Sequence, residues 1–320
     1  MKRTVTALAI SMAVLAGGLA AANTASAAAP MVKTQAPGYY RVMLGDFEIT
    51  ALSDGTVKLP VTKLLQEDAK KTDKVLKKHF LDDDVDTSVN AYLVNTGSKL
   101  VLIDTGAAGL FGPTLGNVLA NLEAAGYKPE QVDDVVITHM HPDHVGGLMH
   151  DGKIAFPNAT LHIDKKDTDY WLSKENMEKA PKDKQGFFQG AMASVNPYAD
   201  AGKLKPFDGV TEIVLGIKAI PTAGHTPGHT EYEVDSKGQK FMVWGDLIHV
   251  AAVQFANPVV TIGFDSDPKT ARKAREKEFA NAAKQGYLVA GSHLSFPGIG
   301  HLVKNGKGYT FLPINYHGLK

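Results

Sequence analysis

Short apolar runs separated by turn residues dominate the chain, a pattern that predicts strands punctuated by a few helices. Tyr40 to Leu52 predicts two short strands around Gly45-Asp46. Residues 62–84 are polar and Lys-rich, with an amphipathic stretch near Val75-Leu76 and His79-Phe80, and predict helix and solvated loop. The runs 91–94 and 100–103, split by Asn95-Thr96-Gly97-Ser98, predict a hairpin with a buried second strand. Leu115, Val118, Leu119 and Leu122 stand at i, i+3, i+4 and i+7, the spacing of an amphipathic helix over 113–125 that Gly126 ends. Val132 to Thr138 and Ala159 to Asp164 predict two further strands, and 165–195 predicts helix in two pieces broken near Ala180-Pro181.

The second half repeats the style. Strand-like runs occur at 211–215, 217–221, 230–235 and 240–244. Asp267-Pro268 opens a helix, Asp as N-cap and Pro at N1, that runs to about Lys284. Tyr287 to Ala290 predicts a last buried strand, and Tyr309 to Leu312 an edge strand. Strands followed by helix in each half predict an α/β sandwich of two sheets with helices outside. No linker or low-complexity stretch interrupts 37–320, so one domain is expected there.

Composition changes the picture at the N-terminus. Lys2 and Arg3 precede an apolar run from Thr4 to Ala20, and Ala25-Ser26-Ala27 follows. That order describes a signal peptide cut after Ala27, with export to the periplasm or beyond as its consequence. Residues 28–36 are expected to be a loose leader into the domain. The 320 residues contain no Cys, which removes thiolate ligands, a Cys nucleophile and any disulfide framework. Lys+Arg and Asp+Glu are equal at 34 each, a balance that argues against a nucleic-acid partner. No membrane span is expected in the domain.

The chemistry concentrates in His139-Met140-His141-Pro142-Asp143-His144. His139 and His141 are two apart at a strand end, so their imidazoles point to one side. Pro142 turns the chain, and Asp143 and His144 follow on the turn. Imidazoles with a carboxylate form a good zinc set that also accepts iron, manganese or cobalt. His225, Asp246 and His293 each follow an apolar run and a small residue or Gly, so comparable strand ends can bring them to one edge of the sandwich.

H-x-H-x-D-H followed in order by His225, Asp246 and His293 resembles the metallo-β-lactamase superfamily, as does the turn 102–106. The stretches 37–55, 90–97, 104–116 and 292–301 are similar to its methyl parathion hydrolase-like branch. The resemblance implies an αββα sandwich and two divalent metal ions. His139, His141 and His225 would hold one ion, and Asp143, His144 and His293 the other. Asp246 would bridge them, and a shared hydroxide would be the nucleophile, which makes Asp143 and Asp246 the catalytic carboxylates. Asp104 would orient a ligand histidine, with His229 a neighbour rather than a ligand.

Phe111, Trp171 and Phe188 would line the substrate pocket on the same resemblance. His249 departs from the more apolar segment of the parathion-hydrolysing relatives, and is expected near the mouth, touching a lactone or ester. The expected substrates are small phosphotriesters, aryl esters and lactones. Acyl-homoserine lactone hydrolysis and a glyoxalase II-like thioesterase are the alternatives; the latter lacks room here for its C-terminal helical domain. The complete ligand set argues against a scaffold that binds metal without catalysis. The relatives are commonly dimers, so a homodimer is the expected assembly.

Overall fold

The computed structural model describes residues 29–316, 318 and 319. The signal-peptide pattern at 1–27 lies outside the described residues. Pro37–Lys320 forms one compact unit built on two seven-stranded mixed sheets.

The first sheet runs in spatial order Tyr39–Leu44, Phe47–Pro60, Asp84–Asn95, Leu100–Ile103, Asp134–Val136, Thr160–Asp164, Leu204–Phe207. Its first four strands pair antiparallel and its last four parallel. The second sheet is Thr211–Val214, Ile217–Pro221, Thr230–Ser236, Gln239–Val243, Leu288–Ala290, Ile299–Asn305, Gly308–Pro313, with one parallel pair, Gln239–Val243 with Leu288–Ala290.

Alternation along the strands makes the layers. Tyr92, Val94, Val101 and Ile103 meet Tyr232, Val234, Phe241 and Val243 in a core between the sheets. Ala91, Leu93, Leu102 and Val135 face the other way, onto helices Val118–Ala124 and Gln185–Asp200 through Val118, Leu122, Phe188 and Val195. Met242 and Val289 cover Phe279 and Ala282 of helix Pro268–Gln285. The layers are helix, sheet, sheet, helix, as expected.

Several elements differ from the sequence reading. The helix expected over 113–125 spans Val118–Ala124, and Leu115 sits in the preceding loop. The 165–195 region holds three helices, Lys165–Trp171, Lys174–Lys179 and Gln185–Asp200, because Ser173 caps the second by accepting from Asn176 N at 3.2 Å. Leu204–Phe207 is an unexpected strand at the sheet edge, where Pro206 removes a donor that an inner strand would need. Asp267 caps the long helix as expected, accepting from Lys269 N and Thr270 N.

Candidate metal centre

The chemistry-bearing residues lie just beyond strand carboxyl ends. Asp104 follows Leu100–Ile103, His139 follows Asp134–Val136, Asp246 follows Gln239–Val243, and His293 follows Leu288–Ala290. His225 lies in the turn between Ile217–Pro221 and Thr230–Ser236. Helix Pro142–Val145 carries Asp143 and His144 on a single turn.

These side chains converge on Asp246. Its Oδ2 stands 3.3 Å from His225 Nε2, 3.1 Å from His293 Nε2 and 3.6 Å from His139 Nε2, and its Oδ1 is 3.2 Å from His144 Nε2. One donor atom each from His139, His141, His225 and Asp246 lies within 4.8 Å of the others, as holds for Asp143, His144 and His293. A third such group joins Asp246, His249 and His293. Burial opposes ionisation of Asp246, but His293, His144, His249 and His139 hold its carboxyl well below the usual carboxylate range.

The outward nitrogens are fixed by partners. His144 Nδ1–H donates to Asp104 Oδ2 at 2.8 Å, His225 Nδ1–H to Asp265 Oδ1 at 2.9 Å, and His293 Nδ1–H to the Ser88 carbonyl at 2.9 Å. Each of these bonds turns Nε2, with its lone pair, into the cluster. His139 Nε2, His144 Nε2 and Asp246 Oδ1 are buried and have no hydrogen-bond partner. Buried polar atoms left without partners are costly in a dry interior, and a divalent cation satisfies them. The donor set fits a metal site. His225 is also where opposing effects are plainest: burial disfavours its charge, but Asp246 and Asp265 outweigh that and push it up to about 9.

The supports behind the donors are polar and buried. Asp104 takes φ +61° and uses both oxygens, accepting from Thr138 N and Thr138 Oγ1 at 2.8 Å each as well as from His144. Asp167 accepts from Met140 N at 2.9 Å, Thr226 Oγ1 at 2.9 Å and Gly228 N at 2.6 Å, tying the loop of His139 and His141 to that of His225. Burial pushes Asp167 up to about 6 against those three donors. Gly245, at φ +54°, lets the chain pass where a Cβ would meet Thr138 Cβ at 2.8 Å and His229 Nε2 at 2.9 Å. His229 accepts from Asp246 N at 3.0 Å, so it steadies Asp246 from behind.

The expected pocket residues divide between two adjoining spaces. An apolar one against the cluster is bordered by Val57, Leu59, Phe111, Leu115 and His249. A larger one, about 390 Å³, is bordered by His141, Trp171 and Phe188. Phe188 is almost wholly buried behind Trp171, with ring centroids 4.6 Å apart, so most of its surface serves the core. His249 is deeper than the mouth position expected for it. It is 3% exposed, and its Nε2 is 3.0 Å from Asp246 Oδ2. The cause is Gln254, whose Oε1 accepts from His249 N and Val250 N at 2.9 Å each and pulls this turn inward. Asp265, Phe187 and Phe264 had no signal in a single sequence: a lone carboxylate in a loop and two aromatics in mixed surroundings look like ordinary residues.

Phe111 and Leu115 reach the cluster on the strap 107–117. Asp54 sits at the bulge where the register of Phe47–Pro60 shifts between Ser53 and Gly55. Its Oδ2 accepts from Ala107 N at 2.8 Å and its Oδ1 from Val118 N at 3.1 Å, so one carboxylate fastens both ends of the strap. Gly55 allows the close seat, since a Cβ there would meet Thr114 O at 2.0 Å. Asp54→Ala is expected to cost about 1–3 kcal/mol, the penalty of orphaned buried donors. Denaturant unfolding reads that loss, and limited proteolysis should show new cleavage within 108–116 at unchanged metal content. An uncleaved strap would rule out this fastening.

The comparisons with known proteins agree with this geometry. The model of the metallo-beta-lactamase superfamily matches residues 84–293, a span that contains all seven expected ligands.

The chain belongs to the metallo-β-lactamase superfamily.

The crystal structure of hydrolase AbOPH of that superfamily is 43% identical, with a TM-score of 0.85, covering 89% of this chain and 100% of AbOPH. AidC, a dizinc quorum-quenching lactonase solved with N-hexanoyl-L-homoserine as product, is 27% identical with a TM-score of 0.80, over 88% of this chain and 99% of AidC. An N-acyl homoserine lactonase of Bacillus sp is 26% identical over 213 residues, which cover 61% of this chain and 77% of the lactonase. Like these superfamily members, the chain is a metal-dependent hydrolase, with a His and Asp metal site.

Proposed function

We propose that this hydrolase acts on lactones and activated carboxylic esters through a two-metal site, with phosphotriesters as secondary substrates. The observation that carries the reading is the convergence of His139, His144, His225 and His293 on the single carboxylate of Asp246, with His141 and Asp143 completing the two donor groups. His139, His141 and His225 would hold one ion with Asp246, and Asp143, His144 and His293 the other. Zinc is the ion we propose, from the imidazole and carboxylate chemistry. When bound, the pair of ions supplies a water of lowered pKa and polarises the scissile carbonyl.

The chain's own residues do the rest. Asp104, Asp265 and the Ser88 carbonyl hold three imidazoles in the tautomer and orientation that presents Nε2. Asp246 supplies negative charge where cationic centres gather. Phe111, Leu115, Val57 and Leu59 exclude water and accept an apolar group. No side chain stands out as a strong general acid, which favours aryl leaving groups and lactones, whose leaving oxygen stays tethered. His249 beside Asp246 favours a compact polar head over a bulky neutral triester. The pattern at residues 1–27 supports export as the setting.

Metal analysis by mass spectrometry, with kinetics on acyl-homoserine lactones, p-nitrophenyl esters, a thioester and a paraoxon-type triester, tests the reading. Two metal ions per chain and a lactone or ester with the highest kcat/KM are expected; a thioester far ahead would transfer the assignment to the glyoxalase II-like alternative. His249→Leu is expected to raise the triester-to-lactone ratio of kcat/KM about tenfold, the scale of one reshaped pocket contact. An unchanged ratio would remove His249 from substrate choice.

A further inference from the structure

The larger space beside the cluster has an electrostatic character of its own. Phe187 and Phe264 border both spaces and stand between them, with ring centroids 6.5 Å apart. Beyond them, the 390 Å³ compartment has an aromatic floor of Tyr170 and Trp171 and a rim carrying Lys179 and Lys184. It reaches the cluster at His141, whose ring centroid is 5.1 Å from that of Trp171 and 5.0 Å from that of Phe187.

The two lysines differ. Lys179 is paired with Glu175 one helical turn away. Lys184 has no carboxylate partner among the described residues. Its Nζ donates to the Gly263 carbonyl at 3.2 Å and stands 5.7 Å from the ring centroids of both Phe187 and Phe264. Two ring faces stabilise the ammonium while stripping part of its hydration, and one carbonyl leaves further N–H donors free. The one carboxylate on the compartment wall, Asp265, is already engaged by His225 Nδ1 and Ile262 N. The compartment therefore joins an apolar floor to a half-buried ammonium without a carboxylate partner among the described residues, next to the donor cluster.

We propose that this compartment is an anion subsite. The substrate is a lactone or ester whose end remote from the scissile bond carries a carboxylate. Lys184 receives that carboxylate, and the intervening methylenes lie on Trp171 and Phe187. This rests on the hydrolase reading above and narrows its substrate class.

Two p-nitrophenyl esters of equal chain length test it on the metal-loaded enzyme: the hexanoate, and the mono-ester of adipic acid. The adipate ester is expected to have roughly tenfold higher kcat/KM, carried in KM, the scale of one charge-assisted hydrogen bond. Lys184→Met should erase that preference, Lys184→Arg should keep it, and added salt should erode it in the wild type. No preference in the wild type, or a preference that survives Lys184→Met, overturns the subsite. If neither ester is cleaved, the hydrolase reading fails separately. Calorimetry with the uncleaved anilides of hexanoic and adipic acid then decides the subsite: tighter binding of the adipic anilide that is lost in Lys184→Met supports it, and equal affinity overturns it.

Discussion

Asp246→Ala is expected to leave the protein with fewer than two metal ions per chain and essentially without turnover. Five imidazoles point a nitrogen at this carboxylate within 3.6 Å, and among the described residues no other acid takes its place between them. On the proposed two-metal reading, removing it strips the shared ligand and leaves no negative charge between the two cations. Losing a single preorganised charge contact already costs about 10²–10³ in rate. Losing the ligand common to both halves of the site should exceed that. Asp246→Asn is the companion variant, since it keeps the shape and removes the charge. Metal content by mass spectrometry and kcat/KM on one aryl ester read the result. Two tightly held ions and full activity in either variant would sink the two-metal assignment.

Arg275→Met is expected to destabilise the protein by about 2–6 kcal/mol, because Pro258 O and Leu247 O lose their donor and each buried carbonyl left without one costs about 1–3 kcal/mol. Arg275 is almost fully buried and forms no ion pair among the described residues. Its guanidinium donates to Pro258 O at 2.9 Å, Leu247 O at 3.2 Å and Val260 O at 2.6 Å. Three carbonyls of one irregular segment thus meet one side chain of helix Pro268–Gln285, and two of them have it as their donor. Gln254 finishes the work by donating to Val260 O at 3.0 Å while accepting from the backbone of His249 and Val250. Arg275→Lys offers one compact donor group in place of a fork and should recover only part of the loss. Denaturant unfolding of the metal-loaded proteins measures both, and hydrogen exchange should show faster opening across 247–262. Wild-type stability in Arg275→Met would mean that water serves those carbonyls instead.

The cluster was legible because its residues obey two simple rules. His139 and His141 share a side by strand periodicity with Asp143 and His144 on the turn that follows, and His225, Asp246 and His293 each follow an apolar run that ends in a turn. Asp104 was legible only through the resemblance, since a carboxylate after a strand is ordinarily just a turn residue. The strand-and-helix order was likewise plain wherever one face is buried, as in 91–103 and 268–285. It failed where tertiary contacts overrode local pattern. Leu115 carries the helical spacing of its neighbours, but the strap fastened at Asp54 holds it over the pocket instead. Leu204–Phe207 hides behind a proline that an edge strand tolerates. Asp265, Phe187 and Phe264 belong to segments whose positions are set by Arg275, Lys184 and neighbouring rings, and no periodicity records such partners.

The turn around 262–266 places Phe264 on the pocket wall and Asp265 behind His225, one residue apart. Ligand choice and metal retention are therefore inherited together at this turn. A lineage that enlarges the pocket by changing position 264 disturbs the carboxylate that orients a metal-facing imidazole, and selection for a new substrate works there against metal loss. Phe111 is under no such constraint. It rides on a strap secured at both ends by Asp54, and among the described residues no residue of that strap hydrogen-bonds a donor side chain, so position 111 is where substrate range can drift while the metal site stays intact.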